Sequence, residues 1–312
     1  MEKKQIDWSS IGFGYIPTEK RYVSNYKDGK WDDGCLTEDA NIVLNECAGV
    51  LQYAQTVFEG MKAYRTADGS IQLFRPDKNM ARMNVSCDRL CIPKIDEEFA
   101  IKAIKTLVEV DKDWVPSLDG TSLYIRPYIF ATDAQVGVHP AKHLTFAIIL
   151  SPVGAYYPQG IAPVKIFVEQ KYVRAVIGGT GFTKAGANYA ISLKGQEEAA
   201  EQGYVQTLWL DGVERKYVEE VGSMNVFFKI DGEVITPALV GSILGGITRM
   251  SIIELLQSKG YKVSERRLSI DELVEAFKAG ELEEAWRICA CGRRGYLGRV
   301  VKGCKKKFRR DS

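Results

Sequence analysis

The chain has 312 residues and a mass of 34.8 kDa, enough for two domains or one large one. Its 46% apolar and 26% charged residues are those of a globular protein, which excludes a collagen, a wholly disordered chain and a coiled-coil rod. The net charge of +2 hides an asymmetry: residues 287–312 hold ten of the 42 Lys and Arg but only one of the 40 Asp and Glu, Asp311, so the body is acidic and the tail basic.

No apolar run reaches the ~18–20 residues of a membrane span. The opening Met1-Glu2-Lys3-Lys4 leads into Gln5-Ile6-Asp7-Trp8-Ser9 with no apolar core, so no secretory signal is expected. Seven scattered cysteines without paired CxxC knuckles favour neither disulfides nor zinc, and a cytoplasmic protein with reduced thiols follows. Ser70–Arg75 alternates like a strand that stops at Pro76. A helix follows over 79–90, with Met80, Met83 and Cys87 on one face, and a second over 99–110, with Ile101, Ile104 and Leu107. Residues 122–126 and 144–150 read as strands, the second apolar enough to be central. Residues 151–163, rich in Gly, Pro and Tyr, suit a domain connection.

The second half opens with a strand over 164–168. Two hairpins follow, each signalled by Asp-Gly between strands: 207–210 returning through Asp211-Gly212 to Val218, and 226–230 returning through Asp231-Gly232 to 233–236. Gly245-Gly246-Ile247-Thr248 then enters a helix with Ile252, Leu255 and Leu256 on one face, ended by Gly260. The pattern is α+β with antiparallel hairpins rather than repeated βαβ units.

Four features carry chemistry. Lys184 is the only charged residue between Gly178 and Ser192, and a lysine in such a setting can act as an amine nucleophile that forms a Schiff base. The alternative is a solvated loop lysine; neither the P-loop nor the GxGxxG spacing is met. In Glu219-Glu220, adjacent strand residues point to opposite faces, so one acid can face the core and the other solvent; a buried acid needs a cationic or hydrogen-bonding partner. Gly246-Ile247-Thr248 presents helix-start amides that suit an anion, or a plain N-cap at Thr248. Arg75 and Arg126 each precede a proline at a strand end, where the guanidinium fork suits phosphate or carboxylate. His139 and His143 lack a metal-ligand context. An amine, a buried acid, an anion-binding helix start and an arginine together fit pyridoxal phosphate, with its aldehyde, ring nitrogen and phosphate.

The runs Lys184-Ala185-Gly186-Ala187-Asn188-Tyr189 and Glu219-Glu220-Val221-Gly222-Ser223-Met224-Asn225 resemble those of branched-chain amino acid aminotransferases. So do Phe58-Glu59-Gly60-Met61-Lys62-Ala63, Leu73-Phe74-Arg75-Pro76, Leu123-Tyr124-Ile125-Arg126-Pro127 and Gln206-Thr207-Leu208-Trp209-Leu210, in order, over roughly residues 5–286. The resemblance implies a fold-type IV pyridoxal 5′-phosphate enzyme, with a small α/β N-terminal domain (1–155), a larger barrel-like C-terminal domain (163–286) and a homodimer. It implies that Lys184 carries the cofactor and shuttles the Cα proton, that Glu220 pairs with the pyridine nitrogen, and that Tyr189 bonds the ring oxygen. It implies that Arg75, Ile247 and Thr248 hold the phosphate with help from Ser223, that Tyr53, Phe58 and Tyr124 line an apolar pocket, and that Arg126 meets the distal carboxylate of glutamate or 2-oxoglutarate. The implied reaction is transamination of leucine, isoleucine and valine with 2-oxoglutarate. Another fold-type IV activity, such as a D-amino acid aminotransferase or an aminodeoxychorismate lyase, is the alternative, together with an inactive homologue or a basic-tailed binding protein.

Family members continue after the Trp286 position with a Gly-[Ser/Thr]-Gly-Thr-Ala-type turn. Here Arg287-Ile288-Cys289-Ala290-Cys291 begins the basic tail, 287–312. The change is read as an out-of-frame translation, which the coding DNA would reveal and which would leave the second domain incomplete. Nucleic-acid binding is not expected, because no reading helix accompanies the charge.

Overall fold

A computed structural model gives the fold and describes residues 7–154 and 163–288, and the backbone of 294–299. The expected connection at 151–163 falls mostly on residues 155–162, outside that set, as do 289–293 and 300–312 of the tail. The chain divides into two compact units. Of the described residues, the first takes 7–154 together with Thr183–Ala187; the second takes 163–182, 188–288 and 294–299.

The first unit is an antiparallel sheet backed by helices. Its strands are β1 (Arg21–Lys27), β2 (Lys30–Trp31), β3 (Cys35–Thr37), β4 (Thr56–Phe58), β5 (Met61–Arg65), β6 (Ile71–Leu73), β7 (Ser122–Ala131) and β8 (Leu144–Val153), and its helices α1 (Gly49–Tyr53), α2 (Pro76–Arg89) and α3 (Glu97–Val110). The order is β2-β1-β8-β7-β5-β6, with β3 on β1 and β4 on β7. The apolar 144–150 run is central, as its composition predicts. Leu123, Ile125 and Ile129 of β7 pack in one core with Met80, Met83 and Cys87 of α2 and with Ile104 and Leu107 of α3. By strand alternation, Tyr124, Arg126 and Tyr128 face the other way.

Two prolines differ from their sequence reading. Pro76 not only stops a strand but stands at N1 of α2, where its missing N–H costs nothing. Arg126-Pro127 is not a strand end, because β7 runs on to Ala131. On one side β7 pairs with β8 along its length. On the other, Leu123–Ile125 pair with β5 and Tyr128–Phe130 with β4, so Pro127 falls where the ladder changes partner. Its carbonyl accepts the Glu59 N–H at 2.7 Å.

The second unit holds β9 (Ile166–Val168), β10 (Gln206–Leu210), β11 (Val218–Val221), β12 (Asn225–Ile230), β13 (Glu233–Thr236), β14 (Val263–Glu265), β15 (Leu282–Ile288) and β16 (Arg294–Arg299). Its helices are α4 (Ala187–Ala190), which begins on the last residue of the first unit, α5 (Leu193–Glu201), α6 (Ile247–Ser258) and α7 (Ile270–Ala279). They form sheets of order β11-β10-β9 and β14-β13-β12-β15-β16. The Asp231-Gly232 hairpin forms as predicted, with both residues at positive φ, 45° and 75°. Asp211-Gly212 does not make such a turn. The return strand starts at Val218, and 211–217 form a wider loop around the Asp211 carboxylate. That group accepts the N–H of Val213 at 3.3 Å, Glu214 at 2.7 Å, Lys216 at 2.9 Å and Tyr217 at 2.8 Å. Helix α6 buries Ile247, Arg249 and Ile253, while Leu255, expected inside, is exposed.

Burial pushes the Asp211 carboxyl up, but its backbone N–H donors outweigh that and leave it below the ordinary range. A depressed carboxylate adds stability above the unfolded pKa of about 3.9, and that stability is lost as pH falls through the folded value. Asp211→Asn is expected to cost about 1–3 kcal/mol at neutral pH by leaving loop N–H groups unpaired. Denaturant melts should show the gap to the parent protein narrowing below about pH 4.

Candidate active site

The amine, the two arginines and the aromatic residues Tyr53, Phe58 and Tyr124 fall in the first unit. Strand β4 points Val57 into the core and Phe58 to the opposite face. Val57 bridges Ala185, the Phe58 N–H donates to the Lys184 carbonyl at 3.1 Å, and the Lys184 N–H donates to Ser86 Oγ at 3.0 Å. These bonds hold Lys184, 8% exposed, with its ammonium 4.6 Å from the Phe58 ring centre. The Arg126 guanidinium lies on the same ring at 4.5 Å and on the Tyr124 ring at 5.1 Å. It donates to Tyr124 Oη from Nη2 at 2.8 Å and from Nε at 3.3 Å. Gly60 makes room for that hydroxyl: a Cβ there would stand 2.2 Å from Tyr124 Oη. Arg75 caps α2 in the left-handed region, φ 49° and ψ 49°. Tyr53, at the end of α1, donates its hydroxyl to the Val136 carbonyl.

The acid and the helix entry fall in the second unit. Strand alternation suggests one buried and one solvated acid in β11, but Glu219 and Glu220 are both buried, 4% and 3% exposed. Each has its own partner. Glu220 Oε2 pairs with Arg174 Nη2 at 2.8 Å, and its Oε1 accepts from Asn225 Nδ2 at 3.1 Å. Glu219 Oε1 accepts from the Ser242 hydroxyl. Asn225 Nδ2 also reaches the Leu244 carbonyl at 2.9 Å, tying Glu220 to the approach of α6. Gly246 caps α6 without a side-chain bond, so Thr248 lies inside the first turn and is not the cap. The Ile247 and Thr248 amides are among those that a helix start leaves without intrahelical acceptors. Tyr189 is half-buried on α4, and Ser223 is exposed in the turn between β11 and β12.

Sequence reasoning missed Arg174, Asn225 and Ser86, along with the partners of Glu59. The rule that a buried acid needs a cation anticipates a residue like Arg174, but nothing in the chain order selects it. Among the described residues no cluster of His, Cys, Asp and Glu could hold a metal ion, and no helix is long and apolar enough to cross a membrane.

The family model of class IV amino-transferases matches residues 56–291. The chain belongs to the class IV aminotransferases. It is 53% identical over 286 residues to branched-chain-amino-acid aminotransferase 2 of Bacillus subtilis, covering 91% of this chain and 79% of that protein. It is 49% identical over 286 residues to a probable branched-chain-amino-acid aminotransferase of Staphylococcus aureus, covering 91% and 80%. Among solved structures, the branched-chain amino acid aminotransferase of Escherichia coli matches with a TM-score of 0.74 at 25% identity, over 90% of this chain and 86% of that one. The enzyme of Thermoproteus uzoniensis, solved with norvaline, matches with a TM-score of 0.76 at 23% identity over the same shares and shows the same fold. That fold is the fold-type IV architecture.

The donor set of this aminotransferase fits pyridoxal phosphate. A buried amine suits an aldehyde, a buried carboxylate balanced by one arginine suits a protonated ring nitrogen, and uncapped helix amides suit a phosphate.

Desolvation holds the Glu219 carboxyl above its ordinary range, against the lowering effects of Ser242 and Arg174. A raised carboxyl favours the fold below the unfolded pKa, and that contribution is lost as pH rises through the folded value. Glu219→Gln keeps an acceptor for Ser242 and removes the buried charge. Its melting temperature is expected to exceed the parent's by more at pH 8 than at pH 5, as thermal scans would show.

Proposed function

We propose that this chain holds pyridoxal 5′-phosphate and transaminates leucine, isoleucine and valine with 2-oxoglutarate, giving branched 2-oxo acids and glutamate. The observation that carries the reading is the Phe58 ring, with the Lys184 ammonium at 4.6 Å and the Arg126 guanidinium at 4.5 Å. Branched side chains and a γ-carboxylate must be accepted in turn beside one amine. An aromatic wall with one arginine at its edge serves both. The 53% identity to a protein named for branched-chain amino acids points the same way.

When bound, pyridoxal phosphate supplies an electrophilic aldehyde and a ring that takes up the electron pair released at Cα. The chain's own residues do the rest. Lys184 Nζ holds the cofactor until substrate arrives and then moves the proton at the substrate Cα. Glu220 holds the proton at the ring nitrogen, and the Arg174 bond orients that carboxylate. Tyr189 bonds the ring oxygen. Arg75, the Ile247 and Thr248 amides and the Thr248 hydroxyl bind the phosphate, where the helix dipole favours negative charge, and Ser223 adds a hydroxyl. Tyr53, Phe58 and Tyr124 line the side-chain pocket, and Arg126 meets the distal carboxylate. A homodimer in the cytoplasm belongs to the same reading.

A panel of amino donors tests the substrate class. L-Leucine, L-isoleucine and L-valine are expected to turn over with 2-oxoglutarate, and Lys184→Ala to lose both turnover and the visible absorbance of bound cofactor. Turnover of D-alanine without L-leucine would assign another fold-type IV activity. Gly60→Ala addresses the arginine. Displacing Tyr124 Oη is expected to raise KM for 2-oxoglutarate about tenfold or more and KM for leucine much less, read from steady-state kinetics with each substrate varied.

A further inference from the structure

Glu59 lies between Phe58 and Gly60 and is fully buried, with Asn79 and Arg82 of α2 closing on it. Arg82 grips it with both arms of its fork, Nε to Oε1 at 2.8 Å and Nη2 to Oε2 at 2.9 Å. Asn79 Nδ2 donates to Oε2 at 2.7 Å and to the Gly60 carbonyl at 3.2 Å. The Gly60 N–H adds a bond to Oε2 at 3.1 Å. One turn beyond Arg82, Ser86 Oγ donates to the Arg82 carbonyl at 3.1 Å and accepts the Lys184 N–H at 3.0 Å. Asn79, Arg82 and Ser86 are spaced by three and four residues, which puts them along one stripe of α2. That stripe touches the strand carrying Phe58 at one level and the backbone of Lys184 at another.

A buried ion pair is a poor way to add stability, because desolvating two charges offsets most of their attraction and a packed apolar pair serves as well. What a two-pronged arginine–carboxylate contact does supply is a fixed direction. We propose that Glu59, clamped by Arg82 and Asn79, is a positioning residue: with Ser86 it makes α2 a ruler that sets the Lys184 amine against the Phe58 ring. The inference rests on the reading of Lys184 as the cofactor-carrying amine. Glu59 touches no reacting atom. It acts through Phe58 and Gly60, and Ser86 acts through the Lys184 backbone.

The test compares Ser86→Ala, Arg82→Lys and the paired apolar replacement Glu59→Met with Arg82→Met, each as full-length protein loaded with pyridoxal phosphate. Three quantities are read: the melting temperature, the pH titration of the bound cofactor's visible absorbance, and kcat and KM for leucine. Reductive trapping with borohydride, with the modified peptide mapped by mass spectrometry, reports whether Lys184 still takes the cofactor. Ser86→Ala is expected to melt within a few degrees of the parent, to lower kcat about tenfold with KM changed less than about threefold, and to shift the absorbance titration. The paired replacement is expected to fold and to show the same signature more strongly. Arg82→Lys, which keeps the charge and loses the fork, is expected to fall between Ser86→Ala and the paired replacement. Parent-like kcat and titration in folded Ser86→Ala and Arg82→Lys proteins would overturn the proposal, whatever their melting temperatures. A trapped adduct that maps away from Lys184 in the parent would instead overturn the reading beneath it.

Discussion

A short antiparallel bridge decides where Lys184 stands. Val57 pairs with Ala185, the Gly186 N–H reaches the Thr56 carbonyl at 3.2 Å, and the Phe58 N–H reaches the Lys184 carbonyl at 3.1 Å. Thr183–Ala187 therefore cluster with the first unit although the chain on both sides of them belongs to the second. The lysine is fixed through its backbone as well as through its side chain. Left unpaired, each of these buried groups would cost about 1–3 kcal/mol, so the segment has little freedom to leave. Gly186 permits the approach, since a Cβ there would stand 3.0 Å from the Thr56 methyl.

Both units treat buried charge alike. Glu59 is matched by Arg82 in the first, and Glu220 by Arg174 in the second. Such pairs contribute little net stability, yet breaking one by removing a single member leaves a bare charge in a dry setting. Their effect is to make wrong arrangements costly rather than the right one especially stable.

Local rules carried much of the fold. Met80, Met83 and Cys87 face the core because a 3.6-residue period puts them on one side of α2. Asp231-Gly232 turns because both residues reach positive φ. The identical dipeptide at 211–212 fails because the Asp211 side chain recruits N–H groups as far as Tyr217, a competition invisible to a two-residue rule. Alternation misjudged Glu219 and Glu220, because even at a sheet edge both faces of a strand can be buried when each acid has a polar partner. Of the candidate site, Lys184, Glu220 and the entry to α6 were legible from residue type and neighbours. Arg174, Asn225 and Ser86 were not. Their importance comes from long-range packing, and Ser86 stands 98 residues from the lysine whose backbone it holds.

Arg75 shows how chemistry and backbone can disagree at one position. An L-residue with a side chain loses on the order of 1–2 kcal/mol in the left-handed region, where glycine sits freely. The bulky cation is kept at the mouth of α2 against that preference. Selection of variants for thermal tolerance alone would therefore favour glycine here, and the more robust molecule so obtained would have given up the guanidinium that the proposed function assigns to the phosphate.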